Sequence, residues 1–523
     1  MPLCRALMRA GAGLLLLLVL ACRAADLGEH CKRGTSATEF WLEHREELYK
    51  ASLYPPLSTY VNHKTDEYNN IFSALAPEIL DRGVRWLGQR EKVRKLMEKA
   101  ERGEPIKIFV TGGSVTWGNG CRQQRHYSMH HCTWSLRVEQ LINTFAGHNN
   151  TVIVHNGALR GTSTDTGTQL VKYKQWPEEF QDGGPDVIIN AHSTNDMGWL
   201  VESEQQLRVE LETFVRTTLE PCDSPVLVIL EEYMGNENHV VSEEIILGRT
   251  LQELAIHYDF TYVSWPAVAR QHVLSYADQG VYSPKWYDGQ PYHRQVHPDW
   301  IVHQGIAYLL AYSAARAFTG ACGMSLWDAT QGTNGGAYNV TSKHELGMFP
   351  PPLYDSRTRL DSFEWAPCGT KRFGEPQSCA VAWIAAILEQ DIYGPKLQGI
   401  RDATEHLVVA SDGFTIASTY GKSGWIAMQG GAHMTWRISS GISGVIEINH
   451  MQSYGEDWGT SRVTVTKADT DEVLEESIVD NVNKRNVSTS HTSKFLVPPS
   501  TAIDIRIEVI TGRTMKILGM FAC

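Results

Sequence analysis

The chain has no excess of positive charge. Its 47 lysine and arginine residues stand against 59 aspartate and glutamate residues, which gives a formal net charge of −12 with histidine neutral. Sequence-independent binding of nucleic acid needs clustered lysine and arginine to replace the counterions of the phosphate backbone. The sequence therefore predicts a protein that does not bind nucleic acid.

The sequence also lacks a Cys-x-x-Cys pair, an internal repeat and a low-complexity tract. The missing cysteine pair argues against a zinc ribbon and against a thioredoxin-like redox site. Apolar residues make up 42% and charged residues 20% of the chain, which excludes wholesale disorder. A length of 523 residues allows about three domains.

Long apolar runs are scarce, and the longest lies near the amino terminus at 10–21. Two arginines precede this run, and the small residues Cys22 and Ala24 after it occupy the two cleavage-pocket positions, which is typical of a secretory signal peptide over 1–25. The run is shorter than the ~20 residues of a membrane span, and no later stretch reaches about 18. We therefore expect a secreted or secretory-lumen protein without a stable membrane span. The alternatives are an uncleaved anchor and a lipoprotein processed at Cys22, which Leu20 disfavours.

Cysteine usage fits an exported protein. Ten cysteines are present, and removal of the signal peptide would leave an even number, which predicts up to four disulfides. Cys121 with Cys132 and Cys368 with Cys379 are the natural local pairs, although the sequence alone leaves the pairing open. Three Asn-x-Ser/Thr sequons also predict a glycoprotein in a eukaryotic host. The sequons begin at Asn149, Asn339 and Asn486.

A parallel α/β domain is predicted over 104–322. Five short apolar runs rich in valine and isoleucine are separated by intervals long enough for crossover helices, which is typical of strands buried on both faces. A long helix over 301–318 closes the domain. The pattern predicts a three-layer, flavodoxin-like parallel sheet. The runs are 106–111, 152–155, 186–191, 225–231 and 260–265.

The rest of the chain has other patterns. Residues 26–103 carry helix formers at helical spacing over 40–51 and 77–100, which predicts a helical extension packed on the α/β domain. Residues 323–404 are rich in glycine, proline and aromatics, which indicates an ordered connector. Over 405–523 apolar and polar residues alternate with a period of two, which predicts an antiparallel β-sandwich. The clearest strands there are 434–438, 444–449, 461–467, 502–509 and 515–521.

Four residue types that can do chemistry follow successive parts of the predicted sheet. Ser114 comes after a strand and two glycines, Gly161 after the second strand, Asn195 after the third, and His297 just before the closing helix. Taken singly, these residue types are more often structural: a turn serine, a turn glycine, a helix cap, and a loop or packed histidine. Together they lie at the carboxyl edge of one parallel sheet, where such folds place their sites.

These segments resemble the conserved blocks of the SGNH hydrolases, also called GDSL-type esterases and lipases, over roughly 104–320. Gly-Gly-Ser-Val-Thr-Trp-Gly at 112–118 is similar to the first block, which implies that Ser114 is the nucleophile. The second block falls on 156–161 and implies Gly161 as a backbone donor to the oxyanion. The third falls on 194–196 and implies Asn195 as the side-chain donor. The last block, His-Pro, implies His297 as the base.

The chain departs from this family pattern at two positions. Gly113 replaces the aspartate of the GDSL name, which lies beside the nucleophile, so the chemistry is expected to survive. Arg294 stands where the family usually has an aspartate that orients the catalytic histidine. The orienting group is then Asp288, Asp299 or a backbone carbonyl. His303 is the lesser candidate for the base.

Another histidine cluster suggests a competing site. His126 and His130 would share one face of a helix and could bind a metal, but no carboxylate ligand is evident and Cys132 is a disulfide candidate. His192 follows a strand near Asn195 and is expected to be structural. We therefore predict no metal and no cofactor.

The leading hypothesis is a secreted serine esterase that acts through an acyl-serine intermediate on a small-molecule or glycan ester, with O-acetyl groups on carbohydrate as one candidate substrate. One alternative is an acyltransferase acting on glycans. The other is a catalytically silent, carbohydrate-binding protein of the same fold, which Arg294 would favour if it paired with an acid near Ser114.

Overall fold

The computed structural model describes fifteen ranges of the chain. The signal peptide expected over 1–25, the three sequon asparagines and the pair His126 and His130 lie outside them. The described ranges are 38–39, 41–43, 74–121, 132–146, 151–197, 203–221, 223–235, 240–275, 286–287, 297–330, 349–354, 379–385, 397–419, 422–484 and 487–523.

A six-stranded sheet forms the centre of the first domain. Its spatial order is β1-β6-β5-β4-β2-β3, with β2 to β6 parallel and β1 antiparallel to β6. The parallel strands follow the flavodoxin-like order 2-1-3-4-5. The strands are β1 (Val84–Trp86), β2 (Ile106–Gly112), β3 (Val152–Asn156), β4 (Val187–Ala191), β5 (Val226–Glu231) and β6 (Thr261–Ser264).

Helices cover both faces of this sheet, because successive side chains of each strand point to opposite sides. Ile108 and Val110 face the core formed with α4 and α10, whereas Phe109 faces the core formed with α5, α7 and α8. The helices are α1 (Pro77–Gly83), α2 (Arg90–Glu101), α3 (Ser114–Trp117), α4 (Trp134–Ala146), α5 (Thr164–Lys172), α6 (Ser193–Asp196), α7 (Glu204–Leu219), α8 (Val240–Tyr258), α9 (Pro266–Val273), α10 (Trp300–Thr330) and α11 (Leu397–Thr404). In the described residues, none of these helices offers a membrane-spanning apolar stretch.

The helical pattern expected over 77–100 is interrupted. Helix α1 ends at Gly83, and β1 then pairs Val84 with Val263 and Trp86 with Tyr262 at the edge of the sheet. Helix α2 starts after Gln89, whose side-chain oxygen accepts the Leu227 N–H at 2.7 Å. The open edge of β6 therefore overrides the helix propensity of the segment.

A β-sandwich follows, with a common apolar core between two antiparallel sheets. One sheet has the order β15-β12-β17-β10-β9 with β7 also paired to β17, and the other has the order β14-β13-β16-β11-β8. The predicted α/β fold with a carboxyl-terminal sandwich is thus confirmed. The strands are β7 (Val381–Ile384), β8 (Val408–Asp412), β9 (Phe414–Thr419), β10 (Lys422–Met428), β11 (His433–Ser439), β12 (Val445–Gln452), β13 (Thr460–Lys467), β14 (Val473–Asp480), β15 (Thr489–Leu496), β16 (Ala502–Val509) and β17 (Thr514–Ala522).

Part of the segment expected as a connector adds to this sandwich. Strand β7 pairs Val381 with Ala522 of β17. This pairing brings Cys379 to Cys523, with which it forms a disulfide, so the expected pair of Cys379 with Cys368 is wrong. The other expected local pair, Cys121 with Cys132, is confirmed.

The sandwich packs directly against helix α5 of the first domain. Tyr173, at the end of α5, stacks on Phe521 with ring centroids 4.2 Å apart. Lys172 forms a buried ion pair with Glu447 of β12 at 2.7 Å. The loop and helix that follow β3 therefore lie between the two domains.

Candidate active site

Ser114 lies at the carboxyl end of the central strand β2. The strand ends at Gly112, and Ser114 opens the single-turn helix α3, which Gly118 ends in the left-handed conformation with φ of 107°. The Ser114 Oγ lies 2.9 Å from His297 Nε2. The structure thus brings together a hydroxyl and an imidazole that are 183 positions apart in the sequence.

The lack of a side chain at Gly113 has a steric explanation. A Cβ added there would lie 2.5 Å from Asn195 Nδ2, so a side chain at position 113 would require the Asn195 amide to shift. The Asn195 amide therefore occupies the space beside the backbone that leads into Ser114. Its Nδ2 donates a hydrogen bond of 2.6 Å to the Thr162 carbonyl.

Gly161 lies in the loop after β3, next to the acceptor of that amide. Its φ is +66°, in the left-handed region that favours glycine. Two bonds to the Gly112 carbonyl fix the loop on β2: the Leu159 N–H donates at 2.9 Å and the Thr162 hydroxyl at 3.2 Å. Within the described ranges, the N–H groups of Ser114 and Gly161 have no acceptor. Both can donate to a ligand.

His297 immediately precedes Pro298 and the closing helix α10. Burial, and then the positive charge of Arg160, lower the pKa of His297 below its usual 6.5. A lowered pKa keeps the imidazole neutral near pH 7, the form that accepts a proton. The arrangement can therefore take a proton from the Ser114 hydroxyl.

Of the two aspartates expected to orient His297, the structure describes only Asp299. Asp288 and Arg294 lie outside the described residues. The carboxylate of Asp299 accepts the Trp300 N–H at 2.7 Å, at the start of α10. The choice among the orienting groups therefore stays a prediction.

His303 and His192 are buried in the protein interior. His303 Nδ1 accepts the Trp134 N–H at 3.3 Å, and burial with the nearby charges of Arg137 and His297 lowers its pKa to about 3. His192 Nδ1 lies 2.8 Å from Asn190 Oδ1, and burial lowers the pKa of His192 to about 3. Both histidines are neutral at physiological pH, and the histidine at Ser114 is His297.

Two buried carboxyl groups, which the sequence did not predict, form hydrogen bonds to the segments that carry the candidate site. Glu232 follows β5 and accepts hydrogen bonds from Thr116 Oγ1 at 2.6 Å and Trp134 Nε1 at 3.3 Å. Asp196 accepts the backbone N–H and the hydroxyl of Thr164 at 2.7 and 2.6 Å. Burial raises the pKa of Glu232 to about 8 and that of Asp196 to about 7. The signals in the sequence were the position of Asp196 within the segment 194–196 and the acidic pair Glu231-Glu232 where strand β5 ends.

The described residues contain no group of three or more histidine, cysteine, aspartate or glutamate side chains placed to hold a metal ion. Cys132, part of the competing histidine cluster, is in the disulfide with Cys121. The histidines of that cluster lie outside the described ranges.

No family model matches the chain, and no curated protein matches it. Among solved structures, it is similar to a two-domain esterase active on acetylated mannans, with a TM-score of 0.50 and 15% identity over 85% of this chain and 98% of the other. It also matches LAE5, an α/β-hydrolase enzyme from the metagenome of Lake Arreo, Spain, with a TM-score of 0.29 and 16% identity over 40% of this chain and 96% of the other. The first likeness shows a shared two-domain fold.

Proposed function

We propose that this protein is a serine esterase of the SGNH type that hydrolyses an acyl ester through an acyl-serine intermediate. The observation that carries the proposal is the 2.9 Å contact between Ser114 Oγ and His297 Nε2 at the carboxyl edge of the sheet. A nucleophile within hydrogen-bond reach of a neutral base is the arrangement that nucleophilic catalysis requires.

The reaction follows from these positions. His297 takes the hydroxyl proton as Ser114 Oγ attacks the ester carbonyl carbon. The N–H groups of Ser114 and Gly161 and the Asn195 amide hold the oxyanion, and each such donor is worth on the order of 3 kcal/mol. The intermediate collapses, and the departing alcohol takes the proton from His297. Water, deprotonated by His297, then attacks the acyl-serine and releases the acid.

The substrate class proposed is an O-acylated carbohydrate. A structural neighbour with the same two-domain arrangement is an esterase active on acetylated mannans. In this chain the β-sandwich contacts the loop of Gly161, because the Ser490 N–H donates to the Gly161 carbonyl at 2.7 Å. A sandwich in that place can contribute to binding of the alcohol half.

We also propose that the protein is secreted or resides in the secretory lumen and is glycosylated. Two disulfides, Cys121–Cys132 and Cys379–Cys523, support an oxidising compartment. The signal-peptide pattern over 1–25 points to the same compartment.

The proposal is tested with p-nitrophenyl acetate and a fluorophosphonate probe on the full chain. Wild type should hydrolyse the ester and bind the probe covalently, whereas Ser114→Ala should lose both. The matched control Ser411→Ala, at an exposed position of β8, should keep both. A wild type that neither turns over nor becomes labelled would support the silent binding protein. Transfer of the acyl group to added sugar instead of water would support the acyltransferase.

A further inference from the structure

Lys422 brings a positive charge from the β-sandwich to the loop of Gly161. A Cβ added to Gly161 would lie 2.4 Å from Lys422 Nζ, so the ammonium group fills the space into which a side chain at position 161 would point. The Nζ also donates to the Ser488 carbonyl at 2.9 Å. Strand β10 thus places a cation beside the expected oxyanion donor.

Arg160 brings a second cation to the same place. Its guanidinium carbon lies 3.3 Å from the ring centroid of Trp117, which ends the helix that Ser114 begins. Its Nε is buried and has no hydrogen-bond partner among the described residues. The charge of Arg160 lowers the pKa values of both His297 and Lys422, so the three groups share one electrostatic environment.

These cations lack a counterion within the described part of the chain. The ion pairs there involve neither Arg160 nor Lys422. The acids of the neighbouring segment accept hydrogen bonds from other groups, Asp165 from Ser163 Oγ at 2.7 Å and Asp196 from Thr164. Burial and two other cations, Lys516 and Arg160, lower the pKa of Lys422 to about 7. Like charges that are partly buried are unfavourable, so Lys422 is only partly protonated near pH 7 until a bound anion favours its charged form.

We propose that Arg160 and Lys422 form a binding site for a negatively charged group of the ester substrate, close to the acyl ester that Ser114 attacks. This proposal rests on the proposed esterase function and narrows its substrate to acylated acidic sugars. A guanidinium pairs with carboxylate, sulfate or phosphate through two parallel hydrogen bonds, and an ammonium adds a point charge. The β-sandwich then contributes to substrate selection through Lys422.

The test compares kcat/KM on acetylated polygalacturonate, which is acidic, with kcat/KM on acetylated mannan, which is neutral. At low ionic strength wild type should favour the acidic polymer. Salt should reduce the ratio of the two kcat/KM values, acidic over neutral, because it screens charges.

Arg160→Gln and Lys422→Gln should each lower this ratio by roughly tenfold or more, the expected loss of a charge-assisted hydrogen bond. The matched control Arg506→Gln, on the other sheet, should leave the ratio unchanged. Arg160→Lys keeps the charge and should retain much of the preference.

Inhibition of p-nitrophenyl acetate turnover identifies the anion. The inhibitors are glucuronate, glucose 6-sulfate and glucose 6-phosphate, and the inhibition by each is compared with that by glucose. A wild type that hydrolyses both polymers at equal kcat/KM, or variants with an unchanged ratio, would overturn the anion site and leave the esterase proposal intact. If no ester is hydrolysed, the esterase proposal fails instead. Calorimetric binding of polygalacturonate and mannan to Ser114→Ala then still decides the anion site, since equal affinities would refute it.

Discussion

In the proposed mechanism, the protonation state of His297 decides whether Ser114 can react. Burial and the charge of Arg160 lower the pKa of this imidazole below 6.5. The base acts when neutral, so activity is present above its pKa and is lost as the pH falls through it. The acid limb of kcat/KM for p-nitrophenyl acetate should therefore lie below pH 6.5. Arg160→Gln removes one cause of the lowered pKa and should move the acid limb to higher pH. An acid limb at an unchanged pH would show that Arg160 does not act on His297.

In the proposed mechanism, Asn195 is the side-chain donor to the oxyanion, and its contribution can be measured by substitution. Its Nδ2 lies beside Gly113, and its bond to Thr162 fixes its direction. Asn195→Ala should lower kcat by about 10²–10³ with a small change in KM, since the donor acts in the transition state. Thermal unfolding of the variant separates this effect from misfolding. An unchanged kcat in a folded variant would remove Asn195 from the mechanism.

At the scale of elements, Glu232 connects the two short helices of the candidate site, α3 and α6, to the longer helix α4. Its carboxyl accepts from Thr116 of α3 and Trp134 of α4, and its N–H donates to Ser193 Oγ of α6 at 2.7 Å. Burial raises its pKa to about 8, so the carboxyl is protonated at neutral pH. A neutral carboxyl fixes three elements without a buried charge.

This raised pKa predicts a pH-dependent stability. Between pH 4.5 and about 8 the unfolded chain loses the Glu232 proton and the folded chain keeps it, so wild-type stability falls as the pH rises. Glu232→Gln, which resembles the protonated form, should escape this loss, worth up to about 1.4 kcal/mol per pH unit. Thermal unfolding at pH 5 and pH 8 measures the difference. The exposed control Glu456→Gln keeps Glu232 and should lose stability between pH 5 and pH 8 as wild type does, and equal behaviour of the two variants would contradict the assignment.

Elements with strong local patterns could be predicted from the sequence, and elements that depend on distant partners could not. Strand β4 is buried at every position and was evident as an apolar run. Strand β14 is exposed at most positions, so its sequence lacks a period of two. Strand β1 exists because Val84 meets Val263, a contact that no local pattern contains.

The same distinction holds for the site. Ser114, Asn195 and His297 follow or precede strong elements, so their common edge could be predicted from the order of those elements along the chain. The burial that shifts the pKa of Glu232 cannot be recognised from neighbouring letters. Lys422 comes to Gly161 only because the sandwich docks on α5. Contacts between domains are therefore the features that local sequence patterns reveal least.

At the scale of the whole molecule, the two domains form one continuous structure around the site. Helix α5 begins three residues after Gly161 and packs on strands β12, β15 and β17. Thr166 Oγ1 lies 2.8 Å from Ser490 Oγ, and Asn449 donates to Gln169 at 3.1 Å. Docking of the sandwich therefore fixes the loop that presents the Gly161 N–H.

The buried pair of Lys172 and Glu447 is the most direct test of this coupling. The two side chains are 7% and 10% exposed and lie 2.7 Å apart. Glu447→Gln leaves the lysine charge buried without its partner and should destabilise the protein by about 3–5 kcal/mol, with a parallel loss of esterase activity as the Gly161 loop loosens. The double variant Lys172→Met with Glu447→Leu should recover most of the stability, because two apolar groups replace the pair.

Urea unfolding measures the stability of the single and the double variant. The control Asp504→Asn breaks the more exposed pair with Arg437 and should cost under about 1 kcal/mol. Equal costs for Glu447→Gln and Asp504→Asn would show that the domains are not coupled through this contact.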